Sequence, residues 1–305
     1  MLFAMFQKLL EKFKKPKICL IATQSRSGTW YSRYFFFGLD KLLRGENPDT
    51  LQLANAFEKQ KERFFVKETL NIDRLLVGHA TCPGFKERYR GNLREAWDKL
   101  QFFGGGAAHD HLDSVLNLPS YKSLFDPYYN KNARIVYFHR NPLDQAVSSF
   151  PRLLHNNLIK ISYKNEREFL HDASIEAFIK QFITFSEMKK IFPEHILMIS
   201  YEDLVRSPQT SFDKVLDHFG YSVKNNKSEK IVERAIQLAS IENLRGVEQK
   251  MGRALGNDQV GRWESHFRGG GTIGKWKNYF NEEDKKMVET RLAAFNLSLK
   301  NLILE

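Results

Sequence analysis

Two short stretches carry residue types suited to holding an anion. The first reads Thr23-Gln24-Ser25-Arg26-Ser27-Gly28-Thr29-Trp30. It follows an apolar run and precedes a helical pattern, so it reads as a loop feeding a helix N-terminus. Such a terminus presents backbone N–H groups with no intrahelical acceptor, and the helix dipole favours negative charge there. Gly28 lets the backbone approach a ligand closely, Ser27 and Thr29 add hydroxyl donors, and Arg26 adds a cation. The Walker A pattern GxxxxGKS/T is absent, so this is a phosphate cradle of another kind. The second stretch is Arg140-Asn141-Pro142 with Asp144, Val147 and Ser148. Arg140 closes a strand-like run, and Ser148 falls two turns into the helix that follows. A guanidinium and a hydroxyl so placed can converge on a second phosphate.

The elements that must position these residues are readable from apolar patterning. After Pro16, the run Lys17 to Thr23 (KICLIAT) is continuous and of strand length, as a strand buried on both faces reads. A helix follows from Gly28 to Leu43, and Leu75 to His79 forms a short strand. Arg134 to His139 (RIVYFH) is a strand, with His139 expected in strand packing, and Pro142 opens a helix to Leu154. Ser174 to Ile191 is helical, with Phe178, Phe182, Phe185 and Met188 on one stripe. His195 to Ser200 is the next strand, and Ser207-Pro208 opens a helix to Phe219 that Gly220 closes. Strands alternating with helices predict an α/β fold over residues 16–305, a single domain with a central parallel sheet flanked by helices. Such open sheets bind ligands outside the carboxyl ends of their strands, where both anion-binding stretches fall. The segment Leu255 to Asn281 stands apart as a long, basic, glycine-rich loop, and loops of that length are commonly functional.

In this order the blocks resemble the sulfotransferases that use 3′-phosphoadenosine 5′-phosphosulfate (PAPS). Thr23 to Tyr31 is similar to that family's phosphosulfate loop, usually TYPKSGTTW. Arg134 to Ser148 (RIVYFHRNPLDQAVS) is similar to its strand and helix for the 3′-phosphate. Ser200 to Leu204 (SYEDL) matches its YEDL turn, and Gly271 to Phe280 (GTIGKWKNYF) resembles its C-terminal loop, commonly RKGxxGDWKNxF. The resemblance implies a fold like that of the P-loop-containing nucleotide hydrolases, with PAPS as co-substrate and no metal. It implies that Arg26, Ser27, Gly28, Thr29 and Trp30 hold the 5′-phosphosulfate and that Arg140 and Ser148 hold the 3′-phosphate. Tyr201 would sit by the adenine region, and Tyr31 falls where the family has a stacking Trp. The loop with Arg268, Gly269, Gly270 and Gly271 would close over the 3′-phosphate. This chain departs from the pattern in having Arg26 for the usual Lys, a planar fork in place of a point charge. Gly269 and Gly270 occupy the usual Arg-Lys positions, with Arg268 displaced by one residue, and Lys275 replaces the usual Asp.

The family's general base is a His in a KTHxP-like segment ahead of the 3′-phosphate strand. Placing its THL on Asp110-His111-Leu112 assigns the base to His111, with His109 the competing candidate. An unperturbed imidazole titrates near neutral pH, which suits proton abstraction. His109 and His111 also form an HxH pair of the kind that binds metals, but no third ligand stands at a suitable spacing.

Composition excludes several classes and leaves others open. Of 305 residues, 42% are hydrophobic and 27% charged, unlike a disordered chain. The 47 basic against 36 acidic residues leave a net charge of +11, which favours an anionic partner. A kinase using ATP and a non-enzymatic basic protein of membranes or nucleic acid remain alternatives, although no nucleic-acid-binding signature is present and none is expected to bind. Two cysteines point to a reducing compartment, hence a cytoplasmic protein. Residues 1–15 read as an amphipathic helix, with Phe3, Phe6, Leu9, Leu10 and Phe13 interleaved with lysines. It either packs on the domain or touches a membrane surface peripherally. The acceptor, a small molecule, lipid or carbohydrate, is not fixed by these motifs, nor is the oligomeric state.

Overall fold

The strand β1, Lys17–Thr23, is at the centre of the sheet and buried from Cys19 onward, which explains its unbroken apolar sequence. A computed structural model of the chain describes residues 17–24, 27–60, 70, 72–81, 93–104, 125–155, 163–221, 226–252, 255 and 271–302. Four further strands follow: β2 (Ile72–Thr81), β3 (Gln101–Gly104), β4 (Ala133–His139) and β5 (Ile196–Ser200). Their order is β3-β2-β1-β4-β5. β1 runs parallel to both β2 and β4, with Cys19 opposite Leu75 on one side and Arg134 on the other. β5 continues the parallel set. The expected parallel sheet is therefore present, extended by β3, a four-residue strand that pairs antiparallel with β2. A strand that short has no apolar run to announce it in the sequence.

Helices cover both faces. In chain order they are α1 (Thr29–Leu43), α2 (Thr50–Gln60), α3 (Leu93–Lys99), α4 (Pro142–His155), α5 (Glu166–Phe169), α6 (Ile175–Ile191), α7 (Tyr201–Arg206), α8 (Pro208–His218), α9 (Asn226–Ala239), α10 (Ile241–Met251) and α11 (Glu282–Ala293). On one face, α1 and α8 pack Phe35 on Phe212 with ring centroids 3.7 Å apart. On the other, α6 stacks Phe185 on Tyr137 of β4 at 3.9 Å. Alternation along the strands sorts the core accordingly. Ile21, Val77 and Phe138 belong to the α1 side, whereas Ala22, Leu76 and Tyr137 belong to the α6 side.

The helix expected from Ser174 starts earlier in the structure. Asn165 caps α5 by accepting from the Glu168 N–H, and a π turn over Leu170–Ser174 joins α5 to α6. That turn is pinned from outside. Asp284, at the capped start of α11, accepts from Arg167 Nε at 2.6 Å and pairs with His171 Nε2 at 2.7 Å. None of the described helices is long and apolar enough to cross a membrane. The amphipathic segment expected at residues 1–15 lies outside the described residues.

Two buried histidines make stability depend on pH. Burial, reinforced by the charge of Lys189, holds His139 neutral down to about pH 3. Burial likewise lowers His218 to about 4. Both take up a proton near pH 6.5 once unfolded. Their contribution to stability is therefore complete above that pH and is lost as pH falls through 6.5 toward 4, at about 1.4 kcal/mol per unit for each group. Denaturant midpoints are expected to fall between pH 7 and pH 5, and His139→Phe should make the decline shallower by about one proton's worth of slope. An unchanged slope in that variant would refute the assignment.

Candidate active site

The candidate anion cradle is a tight turn at the carboxyl end of β1. The Gln24 N–H donates to Phe138 O at 2.9 Å, and the Ser27 N–H donates back to Gln24 O at 3.1 Å. Gly28 then adopts φ 96°, the left-handed region that suits glycine. A Cβ there would lie 2.8 Å from Leu204 Cδ2 and 3.6 Å from the Tyr201 ring, so a side chain is excluded by contact as well as by backbone. α1 starts immediately afterwards with no side-chain cap on its first turn among the described residues. Its leading N–H groups therefore need an acceptor from outside the helix. Ser27 Oγ is buried and has no hydrogen-bond partner among the described residues. A phosphate or sulfate oxygen meets both needs. Thr29 and Trp30 form the first turn, and Trp30 rests edge-on against Phe57 of α2 at 6.1 Å.

A histidine absent from the expected site stands directly beside this cradle. His79, near the end of β2, is opposite Thr23 in the parallel register. Its Nδ1 lies 3.1 Å from Thr23 Oγ1 and 3.3 Å from Thr29 Oγ1, and these two hydroxyl oxygens are 2.6 Å apart. The Thr23 hydroxyl donates to Gly78 O at 3.1 Å. With its hydrogen on Gly78 O, the Thr23 oxygen can accept from an Nδ1–H, the tautomer that leaves the lone pair on Nε2. An imidazole in that tautomer, held one residue from an anion cradle, can take a proton.

The second candidate anion-binding group is the turn after β4. Gln24 Oε1 accepts from the Arg140 N–H at 3.1 Å, tying this turn to the first. The Arg140 guanidinium is almost fully buried, lies 4.6 Å over the Tyr201 ring and donates to Thr272 O at 3.0 Å. Glu202 accepts from the Asn141 N–H at 3.1 Å, and burial pushes its carboxyl above the ordinary range. The C-terminal segment is fastened to the same turn. Asp144, on the first turn of α4, accepts from the N–H groups of Gly274 at 2.7 Å and Trp276 at 3.0 Å. Ser148 lies one helical turn beyond Asp144 on that face. Gly271 has φ 67°, and a Cβ on it would meet Ile241 at 2.6 Å and the Tyr201 hydroxyl at 3.2 Å.

Tyr201 thus forms the common wall of the site, touching the Gly28 turn, Arg140 and Gly271. The structure brings together Ser27, Gly28, Thr29, Trp30, Arg140, Ser148, Tyr201 and Gly271 at one end of the sheet. Tyr31 is placed differently from the expected stacking position. It points into the core, edge-on to Phe212 at 5.2 Å, and burial raises its hydroxyl pKa. Arg26, Arg268, Gly269, Gly270, His109 and His111 lie outside the described residues.

A family model described as the sulfotransferase domain matches residues 16–293. A flavonol 3-sulfotransferase of Flaveria bidentis is 29% identical over 59% of this chain and 61% of its own length. An amine sulfotransferase of Oryctolagus cuniculus is 25% identical over 65% of this chain and 69% of its own. The chain therefore spans about six tenths of the length of the flavonol enzyme. Among solved structures, retinol dehydratase in complex with retinol and PAP aligns with a TM-score of 0.53 at 17% identity, covering 92% of this chain and 81% of that one. A mouse sulfotransferase complexed with PAP aligns at 0.50 and 17% identity, covering 94% and 90%. These structural likenesses carry the fold.

Proposed function

The chain belongs to the sulfotransferase domain family, and on that premise we propose that it transfers a sulfuryl group from PAPS to a hydroxyl or amine of a small-molecule acceptor. The observation that supports this most is the convergence of two anion-binding turns across one Gln24 bridge. The spacing of a nucleotide with charged groups at both 5′ and 3′ positions calls for two such turns. PAPS, when bound, supplies the activated sulfuryl group. Ser27, Gly28, Thr29 and the N-terminus of α1, with Arg26, would hold its 5′ end, and Arg140 and Ser148 its 3′-phosphate. The segment of Arg268, Gly269, Gly270 and Gly271 would cover the latter, since residues 271–276 are already fastened to Arg140 and Asp144.

In this reading His79 is the general base. Its Nε2 lone pair takes the proton of the attacking hydroxyl, while Thr23 and Thr29 fix the ring through Nδ1. The helix N-terminus and Arg26 stabilise the negative charge that grows on the leaving oxygen, and positioning with fixed dipoles supplies most of the acceleration. The flavonol and amine sulfotransferases among its relatives support a small organic acceptor.

Thermal stabilisation tests the reading. Adenosine 3′,5′-bisphosphate at about 100 times its Kd should stabilise the protein by about 2.7 kcal/mol, and ATP with Mg²⁺ by far less. A shift with ATP and none with the bisphosphate would favour a kinase.

A further inference from the structure

α1 carries a buried charge that the proposed function leaves without a task. The helix is buried almost without interruption from Thr29 to Leu39, and Arg33 is the one charged side chain among those buried residues. It is 6% exposed. A guanidinium keeps its charge at every ordinary pH, and taking it out of water is costly. A Met at this point would fill a similar stretch of core without that cost. Arg33 must therefore do something a hydrocarbon cannot.

Its contacts identify the task. Arg33 Nη2 donates to Val77 O at 2.9 Å, and the guanidinium lies 5.3 Å over the Trp30 ring. Val77 is two residues ahead of His79 on β2, so the two side chains share a face of that strand. Arg33 is one turn beyond Thr29 on α1, and Thr29 Oγ1 lies 3.3 Å from His79 Nδ1. One helical turn spans about 6 Å and two strand residues about 6.6 Å, so the spacings match. α1 thus grips the end of β2 twice, at His79 through Thr29 and at Val77 through Arg33. The next carbonyl, Gly78 O, accepts from the Thr23 hydroxyl at 3.1 Å. Both peptide units ahead of His79 are therefore held by side chains. Between them is Gly78, the residue type with the widest backbone freedom. On the far side of β2, the described pairing with β3 spans Gly78 to Thr81 and does not include Val77.

We propose that Arg33 is a positioning residue for sulfuryl transfer: by clamping Val77 O it locks the backbone at Gly78 and aims the His79 ring at the acceptor hydroxyl. This rests on the proposed function, in which His79 is the general base. A base misplaced by about 1 Å can cost on the order of 10²-fold in rate, so a clamp two residues away has leverage on turnover without touching the nucleotide.

A double-mutant cycle with naphthol as acceptor at saturating PAPS tests the clamp. Arg33→Met should lower kcat at least ~10-fold, with the KM for naphthol and the affinity for adenosine 3′,5′-bisphosphate within about twofold of wild type. In a His79→Ala background the same substitution should change kcat less than about twofold, because there is no ring left to aim. Arg33→Lys keeps the cation but lacks the planar fork, and should lose about threefold, again only where His79 is present. It carries the cycle if Arg33→Met does not fold. The ring itself is read by ¹⁵N NMR of the free protein, where the His79 nitrogens should show one tautomer in the wild type and a mixture in the Arg33 variants. Equal losses in both backgrounds, a raised KM with kcat unchanged, or His79 nitrogen shifts identical in wild type and variants would each overturn the clamp. Normal turnover by His79→Ala would strike the assignment of the base, and the clamp with it. Failure of adenosine 3′,5′-bisphosphate to bind would instead strike the proposed function, and the nitrogen shifts would still decide whether Arg33 holds the ring.

Discussion

Replacing His79 by alanine is expected to lower sulfuryl transfer at least ~10²-fold while leaving the affinity for adenosine 3′,5′-bisphosphate within a few-fold of wild type. The expectation follows from where the ring is held. Its Nδ1 is engaged by Thr23 and Thr29, the residues at the two ends of the cradle turn, so the ring is aimed by the same loop that holds the anion. Loss of the imidazole removes the proton acceptor and leaves the N–H groups of α1 in place. His79→Asn is the companion variant, because an amide can keep the contact to Thr23 without being able to act as a base. Both variants should fall in kcat together, with little change in the binding of the bisphosphate. His111→Ala decides between the two histidines. If it abolishes transfer while His79→Ala remains near normal, the base is His111, as the motif spacing alone suggests.

Arg140→Ala should weaken binding of the bisphosphate on the order of 10²-fold. The guanidinium is stacked on Tyr201 and bonded to Thr272 O, so it is held in place before any ligand arrives. Its removal deletes a desolvated positive charge from the proposed 3′-phosphate site. It also unfastens the C-terminal segment at Thr272, leaving Asp144 as the other tie to that segment among the described contacts. Arg140→Lys restores charge without the planar fork and should recover only part of the affinity. Isothermal titration with the bisphosphate reads both effects, and an affinity for Arg140→Ala within threefold of wild type would show that the 3′-phosphate lies elsewhere.

The strands β1, β4 and β5 and the turns after them were legible because buried parallel strands read as unbroken apolar runs bracketed by Pro, Gly or Ser. Lys17–Thr23 is the plainest case, with the observed boundaries matching the run itself. His79 was not legible as part of the site. Around it only the histidine matches the family's KTHxP segment, and Asp110-His111-Leu112 offers a closer local fit nearer to Arg140. The strand ending in His79 was visible. What the sequence lacks is its neighbour, since the pairing with Thr23 exists only once β2 lies against β1. Tyr31 shows the opposite limit. A position in a motif does not give a side chain's direction, and the α1 face that carries Tyr31 turns it into the aromatic core around Phe212.

The order β3-β2-β1-β4-β5 bears on how the chain reaches its structure. The central strand is the first described element to leave the ribosome, and its partner on one flank is β4, where Cys19 finally meets Arg134. Until more than a third of the chain has followed it, the β1 edge that β4 will cover stays open. Pairings so distant in sequence close slowly, and unpaired apolar strands are where aggregation starts. Cys19 offers a clock for that step. Its thiol is sealed in the finished sheet and held protonated by burial. Its reactivity toward an alkylating reagent during refolding therefore times the moment at which the middle of the sheet is closed.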